Sequence, residues 1–534
     1  MNRTPHPVPL AIRWGEGVRR TGEGKSGRFI RKPTPARVEA RWLTALATLL
    51  SASVLVAATA VHSNEAILRA QASVQAATAR AQADPTRPIY HVAPPAHWNN
   101  DPNGPIYHRG YYHLFYQHNP YGDDWGNMHW GHIRSPDLAH WEHLPIALWP
   151  SKESGEDHVF SGCAVLAGGR PMIFYTSIGR GKEADVHAEQ WAALGDPDLI
   201  RWQKHPANPI LTEGLHGDMK VYDWRDPFYF EHDGRHYLVL GGNLNHAQGG
   251  QAVVLLYEAL NDDLTQWTYR GILFRHPDPQ VKDIGCPNFF RLGRKWVLLV
   301  SPYGRVEYFV GDFNPTQGEF AFQTRGLLDA SDQFYAPNTL LNRGHRRVLW
   351  GWVRGFKGGL GWNGCLTVPR ELALGADNTL RQAPVRELKR LRTGKAIRLA
   401  DVPLAGSVRR VAGLQGDTFE AEMEWDVGTA RECGLRLRAG DGSREVTLGT
   451  CSRQGINVAG TAMPFAPATT GSGIRLHLLV DRSVLEGFLS DGRAVARVIH
   501  AVGSDASVEL FTSGGTATLR RFSAYPMGSV WTER

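Results

Sequence analysis

An internal repeat constrains the fold of this chain more than any other feature of its sequence. Five times, a turn containing glycine is followed by a short apolar run rich in aromatic and β-branched residues; the turn glycines are Gly110, Gly169, Gly234, Gly293 and Gly344. Successive glycines are 59, 65, 59 and 51 residues apart, which leaves room for about four short strands in each unit. A four-stranded sheet repeated around an axis is a propeller blade. The sequence therefore predicts an all-β fold that contains a five-bladed β-propeller.

A second repeat runs in step with the first. The pattern Asp-Leu-x-x-Trp occurs at residues 137–141, 198–202 and 263–267. Because the pattern recurs once per predicted blade, we interpret its tryptophans as core residues that pack inside each blade.

The sequence pattern changes after the fifth repeat. Residues 88–384 are predicted to form the propeller, and the polar, basic stretch 385–400 is predicted to be a linker. From residue 401 to residue 534, alternating apolar and polar positions indicate the strands of a second all-β unit. This unit is long enough to form a β-sandwich with a core of its own, so two folded domains are predicted.

The N-terminal residues carry all of the excess charge of the chain. Residues 1–41 contain ten Lys and Arg against three Glu, a net charge of +7, which equals the net charge of the whole chain. The remaining residues are balanced in charge. No basic surface that would bind nucleic acid is therefore predicted in the body of the protein.

An uncharged apolar segment follows this basic leader. Residues 42–61 are mostly Leu, Val and Ala, and about twenty such residues can cross a bilayer as one helix, so we interpret residues 1–63 as a leader with an export signal or membrane anchor. Residues 64–87, rich in Ala and Gln, are predicted to be a helical or loose linker. Because the positive charge lies on the N-terminal side, the chain beyond residue 63 is expected outside the cytoplasm: secreted, periplasmic or anchored through residues 42–61.

The repeat also aligns positions on successive blades. Counting back from the turn glycines, the equivalent positions are Asp101, Ser161, Asp226, Gly285 and Ala336. Equivalent strands meet around the axis of a propeller, so we expect Asp101 and Asp226 to converge on one polar pocket. Two carboxylates suit glycosyl transfer, in which one group is the nucleophile and another donates a proton. Arg225 is expected to keep the neighbouring Asp226 ionised.

Several separated motifs carry a family resemblance. They are WNNDPNG (98–104), Asp124-Trp125-Gly126, Phe160-Ser161-Gly162, Trp224-Arg225-Asp226-Pro227, Cys286-Pro287, Phe334-Tyr335-Ala336-Pro337, Pro369-Arg370-Glu371-Leu372 and Asp481-Arg482-Ser483-Val484-Leu485-Glu486. In this order they resemble glycoside hydrolase family 32, the group of invertases, inulinases and levanases, over residues 88–530. The resemblance implies a five-bladed propeller with a C-terminal sandwich, retaining hydrolysis of a small or polymeric β-fructofuranoside, and no metal or organic cofactor.

The resemblance also assigns roles to single residues. Asp101 matches the nucleophile of the family, and Asp226 matches the carboxylate that binds fructose hydroxyls and stabilises the transition state. The positions that match residues of the sugar pocket are Asn100, Gln117, Trp125, Ser161 and Arg225. Trp98 shares a motif with the nucleophile, and we interpret Trp98 and Trp125 as stacking surfaces for sugar.

One position departs from the family pattern. The acid/base of the family is a Glu directly before Cys-Pro, and this chain has Gly285 there. Asp283, two residues earlier, would point to the same side of an extended strand, so it is predicted to replace the missing Glu. Two alternatives remain open: a fructan-binding protein without catalysis, and a fructosyltransferase. The motifs do not distinguish sucrose, inulin, levan or a short oligosaccharide as the substrate.

Two further patterns concern sulfur and imidazole. Cys433 and Cys451 flank a predicted hairpin, and since export permits oxidation, a disulfide between them is predicted. Four histidines lie close together in sequence but lack the tight spacing of metal ligands; they are His113, His118, His129 and His132. Packing or contact with sugar is the preferred interpretation of these histidines, and no metal site is predicted.

Overall fold

Antiparallel sheets form almost all of the regular structure of the chain. The computed structural model describes residues 65–179, 188–246, 249–342, 344–465 and 473–532, and within them the predicted all-β class is confirmed. Its helical segments include one α-helix, residues 65–83, and 3-10 helices at Lys152–Ser154, Glu213–His216 and Arg386–Leu391. No helix of the described part is both long and apolar enough to cross a membrane. The predicted leader and its apolar segment, residues 1–63, lie outside the described residues.

The strands between residues 97 and 384 form five consecutive sheets, here called the five-sheet domain. Sheet I contains β1 (His97–His108), β2 (Tyr111–Asn119), β3 (His129–Ser135) and β4 (Glu142–Leu148). Sheet II contains β5 (His158–Ala167), β6 (Arg170–Ile178), β7 (Glu189–Gly195) and β8 (Trp202–Lys204). Sheet III contains β9 (Val221–His232), β10 (Arg235–Leu244), β11 (Gln251–Ala259) and β12 (Trp267–Arg275). Sheet IV contains β13 (Gly285–Leu292), β14 (Lys295–Ser301), β15 (Glu307–Asn314) and β16 (Glu319–Leu327). The remaining strands are β17 (Phe334–Leu341), β18 (Arg347–Val353), β19 (Trp362–Asn363), β20 (Cys365–Leu366), β21 (Arg370–Leu374) and β22 (Leu380–Pro384). All of these except β19 belong to sheet V.

The first strands of the five sheets form a closed ring. β1 contacts β5, β5 contacts β9, β9 contacts β13, β13 contacts β17, and β17 contacts β1. β19 strengthens the closure, because it leaves sheet V and pairs in parallel with β1 of sheet I. The ring brings residues of distant sequence to one shared centre.

Each first strand has a break in its pairing register at the same place. The residues at the breaks are Asp101, Ser161, Asp226, Cys286 and Ala336. A proline follows four of these five residues, and proline cannot donate to a neighbouring strand, so the ladder bulges there. Asp226, Cys286 and Ala336 have positive φ values of 62°, 47° and 46°.

The strand pairing corrects one of the positions that the sequence predicted to be equivalent on successive sheets. Cys286, not Gly285, takes the place in sheet IV that Asp226 takes in sheet III. The reason lies in the turns, because glycine is the second residue of the turn Asp233-Gly234 but the first residue of the turn Gly293-Arg294. Counting from glycine therefore shifts sheet IV by one position.

The C-terminal strands form two six-stranded sheets, here called the two-sheet domain. Sheet VI contains β23 (Ile397–Ala405), β25 (Thr418–Asp426), β30 (Ile474–Asp481), β31 (Val484–Leu489), β32 (Ala494–Val498) and β34 (Thr516–Pro526). Sheet VII contains β24 (Val408–Gln415), β26 (Glu432–Arg438), β27 (Glu445–Cys451), β28 (Gly455–Val458), β29 (Thr461–Pro464) and β33 (Ser507–Ser513). Apolar side chains of both sheets share one buried core, which is consistent with the predicted β-sandwich.

The segment before the first sheet is packed rather than loose. Ala81 in helix 65–83 is buried in one cluster with Trp362 of β19, and the indole of Trp362 donates a hydrogen bond to Asp84 over 2.7 Å. The segment 385–400, expected to be a linker, is also packed. Its residues Leu388 and Leu391 are buried in a cluster that takes side chains from both domains.

A buried charge cluster joins the two domains. Asp481 accepts hydrogen bonds from the backbone N–H groups of Ile89, Tyr90 and His91, at 2.8–2.9 Å. The imidazole of His91 lies between Asp481 and Glu486, at 2.9 and 3.0 Å, and Glu486 also binds the guanidinium of Arg370. The motif 481–486 thus contributes both of the carboxylates that hold the segment 89–91.

The predicted disulfide is not formed in the structure. Cys433 and Cys451 are register partners on β26 and β27, as expected for residues that flank a hairpin, but both are free thiols. The Sγ of Cys433 lies 3.7 Å from the carbonyl oxygen of Cys451. The thiol of Cys433 is thus directed at the backbone of Cys451 instead of at its sulfur.

Candidate active site

Asp101 lies at the bulge of β1, with both carboxylate oxygens hydrogen-bonded. Ser161 of sheet II donates to Oδ2 over 2.7 Å, and the side-chain amide of Asn100 donates to Oδ1 over 2.9 Å. The indole of Trp98 donates to Asn100 Oδ1 over 2.7 Å, which fixes the orientation of that amide. The carboxylate is therefore aimed by groups from two different sheets.

Asp226 occupies the equivalent bulge in sheet III. Its backbone N–H donates to the hydroxyl of Thr176 over 2.9 Å, and its Oδ2 accepts from the backbone N–H of Cys286 over 2.9 Å. Burial raises the pKa of Asp226 from 3.8 to about 6; the guanidinium of Arg225 opposes this shift and the charge of Asp101 adds to it. Arg225 thus acts in the direction expected from sequence, but burial outweighs it.

The thiol of Cys286 joins the two carboxylates. Its Sγ lies 3.5 Å from Asp101 Oδ2 and 3.5 Å from Asp226 Oδ2. Burial raises the pKa of Cys286 well above its ordinary value, so the sulfur carries a proton that it can donate to either carboxylate. Asp101 and Asp226, which are 125 positions apart in the chain, are therefore brought to one point.

Arg225 organises the other side of the pocket. Its Nη2 donates to Asp283 Oδ2 over 2.6 Å and to the phenolic oxygen of Tyr303 over 2.9 Å, and its Nε lies 3.5 Å from Asp226 Oδ2. Burial opposes the charge of Arg225, but Asp283 and the other neighbours outweigh burial and hold its pKa well above the ordinary value. The guanidinium is thus a fixed positive charge next to the carboxylate pair.

Gly285 faces this pocket. A β-carbon placed on Gly285 would lie 3.2 Å from Asp226 Oδ2 and 3.3 Å from Arg225 Nη2. The position at which the resemblance places an acid/base is thus directed at the carboxylates, but it has no side chain. Asp283 is buried nearby, and its Oδ1 accepts from the backbone N–H of Ile284 over 2.8 Å while its Oδ2 accepts from Arg225. The acid/base role of Asp283 stays a prediction.

The aromatic and amide candidates differ in exposure. The ring of Trp125 is 49% exposed and meets Phe160 edge to face, with ring centroids 6.1 Å apart. Trp98 packs against Trp352 at 5.5 Å. Gln117 is buried on β2, and its amide nitrogen has no hydrogen-bond partner among the described residues, which leaves it able to bind a ligand oxygen.

Two groups of possible metal ligands make contacts within the protein. Burial lowers the pKa of His113 to about 4, and its ring contacts the ring of His132 at 3.0 Å, as expected for neutral core histidines. Within the described residues, Glu420, Glu422 and His477 lie close enough together to hold an ion. Arg392 donates to both oxygens of Glu420, so a guanidinium already satisfies that carboxylate.

A comparison with models of protein families identifies the family of the chain. Two models match the chain: the N-terminal domain of glycosyl hydrolases family 32 over residues 91–384, and the C-terminal domain of the same family over residues 387–526. The chain belongs to glycoside hydrolase family 32. Family 32 is a family of glycosidases, so the enzyme class expected from sequence is confirmed.

Named members of family 32 are similar over most of their length. A Bacillus subtilis levanase is 31% identical over 502 residues, which covers 83% of this chain and 71% of the levanase. An Escherichia coli sucrose-6-phosphate hydrolase is 30% identical and is covered over 95% of its length, again with 83% of this chain. The solved structure of a Bombyx mori family 32 beta-fructofuranosidase matches with a TM-score of 0.74 at 27% identity, covering 88% of this chain and all of that one.

Sequence reasoning missed two members of this family 32 site. The thiol of Cys286 was not expected between the carboxylates because counting from the turn glycine misplaced its strand by one residue. The Cys286-Pro287 pair, which matches Asp226-Pro227, is the signal that could have found it. Tyr303 lies 78 positions after Arg225, its hydrogen-bond partner, and no local pattern marks it.

Proposed function

We propose that this protein hydrolyses β-fructofuranosides with retention of configuration, with Asp101 as the nucleophile and Asp226 as the carboxylate that binds fructose hydroxyls. The observation that carries the proposal is the position of one thiol, Cys286 Sγ, at 3.5 Å from both carboxylates. A carboxylate beside the anomeric carbon is what a retaining glycosidase needs as its nucleophile, and a second carboxylate at the same point can accept hydrogen bonds from the sugar.

The first step uses the oriented carboxylate of Asp101. Ser161 and Asn100 hold its two oxygens, so little reorganisation is needed when one oxygen attacks the anomeric carbon. A covalent fructosyl-enzyme forms, and water then attacks the same carbon and releases fructose. Asp226, with a pKa of about 6, is ionised at neutral pH and can accept hydrogen bonds from the sugar as charge develops on the ring.

The substrate class follows from the named relatives. The Bacillus subtilis relative is a levanase, and the Escherichia coli relative is a sucrose-6-phosphate hydrolase. A bond to the anomeric carbon of a fructofuranosyl group is common to the substrates that these names imply. We therefore propose sucrose-type disaccharides and levan- or inulin-type fructans as substrates of this chain.

The proposal extends to architecture and location. The closed ring of five first strands supports a five-bladed β-propeller over residues 88–384, followed by a β-sandwich over residues 401–534. The uncharged stretch 42–61 behind a basic leader supports export, with the folded domains working outside the cytoplasm.

A product assay tests the proposed activity. The full-length protein is incubated with sucrose, a short inulin-type oligosaccharide, inulin and levan, and released fructose is measured. We expect release from at least one of them, and Asp101→Asn or Asp226→Asn should lower the rate by about 1000-fold or more without changing thermal unfolding. Activity equal to that of the parent in either variant would show that the site is wrongly assigned.

The bare Gly285 position favours one second candidate, a protein that binds fructan without cleaving it. Without an acid, the leaving alkoxide departs about 10²–10⁴ times more slowly. Saturable binding of inulin or levan by the parent protein, with no fructose released from any substrate, would support this candidate over the hydrolase.

A further inference from the structure

The unfilled position at Gly285 raises the question of which group protonates the departing sugar. A retaining hydrolase transfers a proton to the glycosidic oxygen as the nucleophile attacks. A β-carbon placed on Gly285 would lie 3.3 Å from Arg225 Nη2. This nitrogen also binds Asp283 and Tyr303. These groups around Arg225 are therefore the candidates for the donor.

Most of these groups are not placed to donate a proton to a sugar. Both oxygens of Asp283 accept hydrogen bonds, one from Arg225 and one from the backbone N–H of Ile284. Arg225 is held in its charged form by the surrounding carboxylates. The thiol of Cys286 carries a proton, but it lies between Asp101 and Asp226, on the side of the nucleophile.

Tyr303 differs from the others. Its phenolic oxygen accepts a hydrogen bond from Arg225 at 2.9 Å, and among the described residues no acceptor takes the phenolic proton. The residue is 59% exposed, so a sugar in the pocket can reach the hydroxyl. The other O–H and S–H protons nearby are already directed at acceptors: that of Cys286 at the carboxylates, that of Ser161 at Asp101, and that of Tyr335 at the carbonyl oxygen of Ser301.

We propose that Tyr303 is the acid/base of this chain, in place of the glutamate that Gly285 lacks. The proposal rests on the proposed function. In the first step, Asp101 forms a bond to the anomeric carbon, the bond from that carbon to the glycosidic oxygen breaks with its electron pair on oxygen, and the phenolic proton of Tyr303 passes to this oxygen. In the second step, the phenolate takes a proton from water, the water oxygen bonds to the anomeric carbon, and the ester bond to Asp101 breaks.

The surroundings of Tyr303 fit this role. The phenolate formed in the first step lies 2.9 Å from Arg225 Nη2, where a full positive charge stabilises it. The backbone is fixed as well: Tyr303 has a φ of 57°, and its N–H donates to the hydroxyl of Tyr335 over 2.9 Å. Asp283 becomes a positioning residue that holds Arg225.

Tyr303 is in the protonated state that a proton donor needs. Arg225 lowers the pKa of Tyr303, but desolvation and the nearby carboxylates together outweigh it and raise this pKa to about 12. The phenol therefore carries its proton at neutral pH.

Leaving-group dependence provides the test, on the full-length protein. We expect Tyr303→Phe to lower kcat/KM for sucrose by about 100-fold or more, because the alkoxide then leaves unprotonated. The same variant should lower kcat/KM for p-nitrophenyl β-fructofuranoside less than about threefold, because kcat/KM reports the step that breaks the glycosidic bond and nitrophenolate leaves without a proton. The matched control is Tyr525→Phe in the two-sheet domain, where the phenol also accepts from an arginine, Arg398 at 3.4 Å; neither substrate should be affected.

The outcomes separate the possible donors. An unchanged kcat/KM of Tyr303→Phe on both substrates, or an equal loss of kcat/KM on both, would overturn the proposal. A selective loss on sucrose in Asp283→Asn, with none in Tyr303→Phe, would assign the acid to Asp283. Cleavage of the nitrophenyl fructoside by the parent tests the proposed hydrolase function on its own, because that reaction needs Asp101 but no acid.

Discussion

The backbone N–H of Cys286 donates a hydrogen bond to Oδ2 of Asp226 over 2.9 Å, so the bulge of sheet IV supports the carboxylate in the bulge of sheet III. The same relation holds between sheets II and I, where Ser161 binds Asp101. At these two bulges, Ser161 and Cys286 leave the regular ladder and bind a carboxylate of the preceding sheet. The site is therefore built from irregularities at equivalent places, and its geometry depends on the ring.

The hydroxyl of Ser161 orients the nucleophile. Ser161→Ala removes a hydrogen bond to a carboxylate, which is worth about 1.5–3 kcal/mol, so we expect kcat/KM for sucrose to fall by roughly 10- to 100-fold. The control is Ser452→Ala, which removes a hydroxyl that binds Gly455 in the two-sheet domain and should leave kcat/KM unchanged. Equal rates for the parent and Ser161→Ala would show that Asp101 does not depend on this contact.

The raised pKa of Asp226 sets the pH below which kcat/KM falls. The ionised form is needed to bind the sugar, and its pKa is raised from 3.8 to about 6, so the active form is lost as pH falls through 6 rather than through 4. We expect kcat/KM to fall about tenfold per pH unit below that value. Thermal unfolding measured over pH 4–7 separates this titration from acid unfolding. A fall in kcat/KM centred near pH 4 would contradict the role assigned to Asp226.

His91 should make stability fall at high pH. Burial disfavours its charge, but Asp481 and Glu486 outweigh burial and raise the pKa of His91 from 6.5 to about 9. The stabilisation, about 3 kcal/mol, is complete below pH 6.5 and is lost as pH rises through 9. The free energy of unfolding, measured by denaturant titration from pH 6 to pH 10, should show this loss. His91→Gln should be less stable at pH 6 and should lack the same pH dependence.

Arg370 is the cation of the buried cluster between the domains. It binds Glu486 Oε2 at 2.7 Å and Asp329 Oδ2 at 2.9 Å, and all three side chains are buried. Arg370→Met leaves the buried Asp329 without a cation and Glu486 with His91 alone, so we expect a loss of about 3–5 kcal/mol in the free energy of unfolding. Arg109→Met, which breaks an exposed pair with Asp198, should cost less than about 1 kcal/mol. Similar losses in the two variants would contradict the difference expected from burial.

The sequence predicted those parts of the fold that depend on local contacts. A hairpin needs only a turn and two neighbouring strands, so the repeated turn glycines predicted the successive sheets. Asp101 and Asp226 could be paired because equivalent strands of repeated units meet. The register of sheet IV could not be read in this way, because Gly293 stands one place earlier in its turn than Gly234 does in its own.

Contacts between segments that are far apart in the chain could not be predicted from the sequence. The phenol of Tyr303 reaches Arg225 across sheets III and IV, and Asp481 binds the backbone of residues 89–91. Such contacts depend on how whole sheets pack, which no short pattern contains. The packing of helix 65–83 against Trp362 is of the same kind.

The parallel pairing of β1 with β19 has a consequence for the order in which the chain is made. His97 and Trp362 are register partners although 265 residues separate them, so one edge of sheet I stays unpaired until the ribosome has added almost the whole five-sheet domain. Sheets II, III and IV can form their hairpins during that time, because their partners are adjacent in the chain. The backbone N–H groups of residues 89–91 remain without their acceptor for longer still, until Asp481 has been synthesised. The first strand to be synthesised is thus among the last to be completed, and a nascent chain that stops before residue 362 exposes an open strand edge to its neighbours.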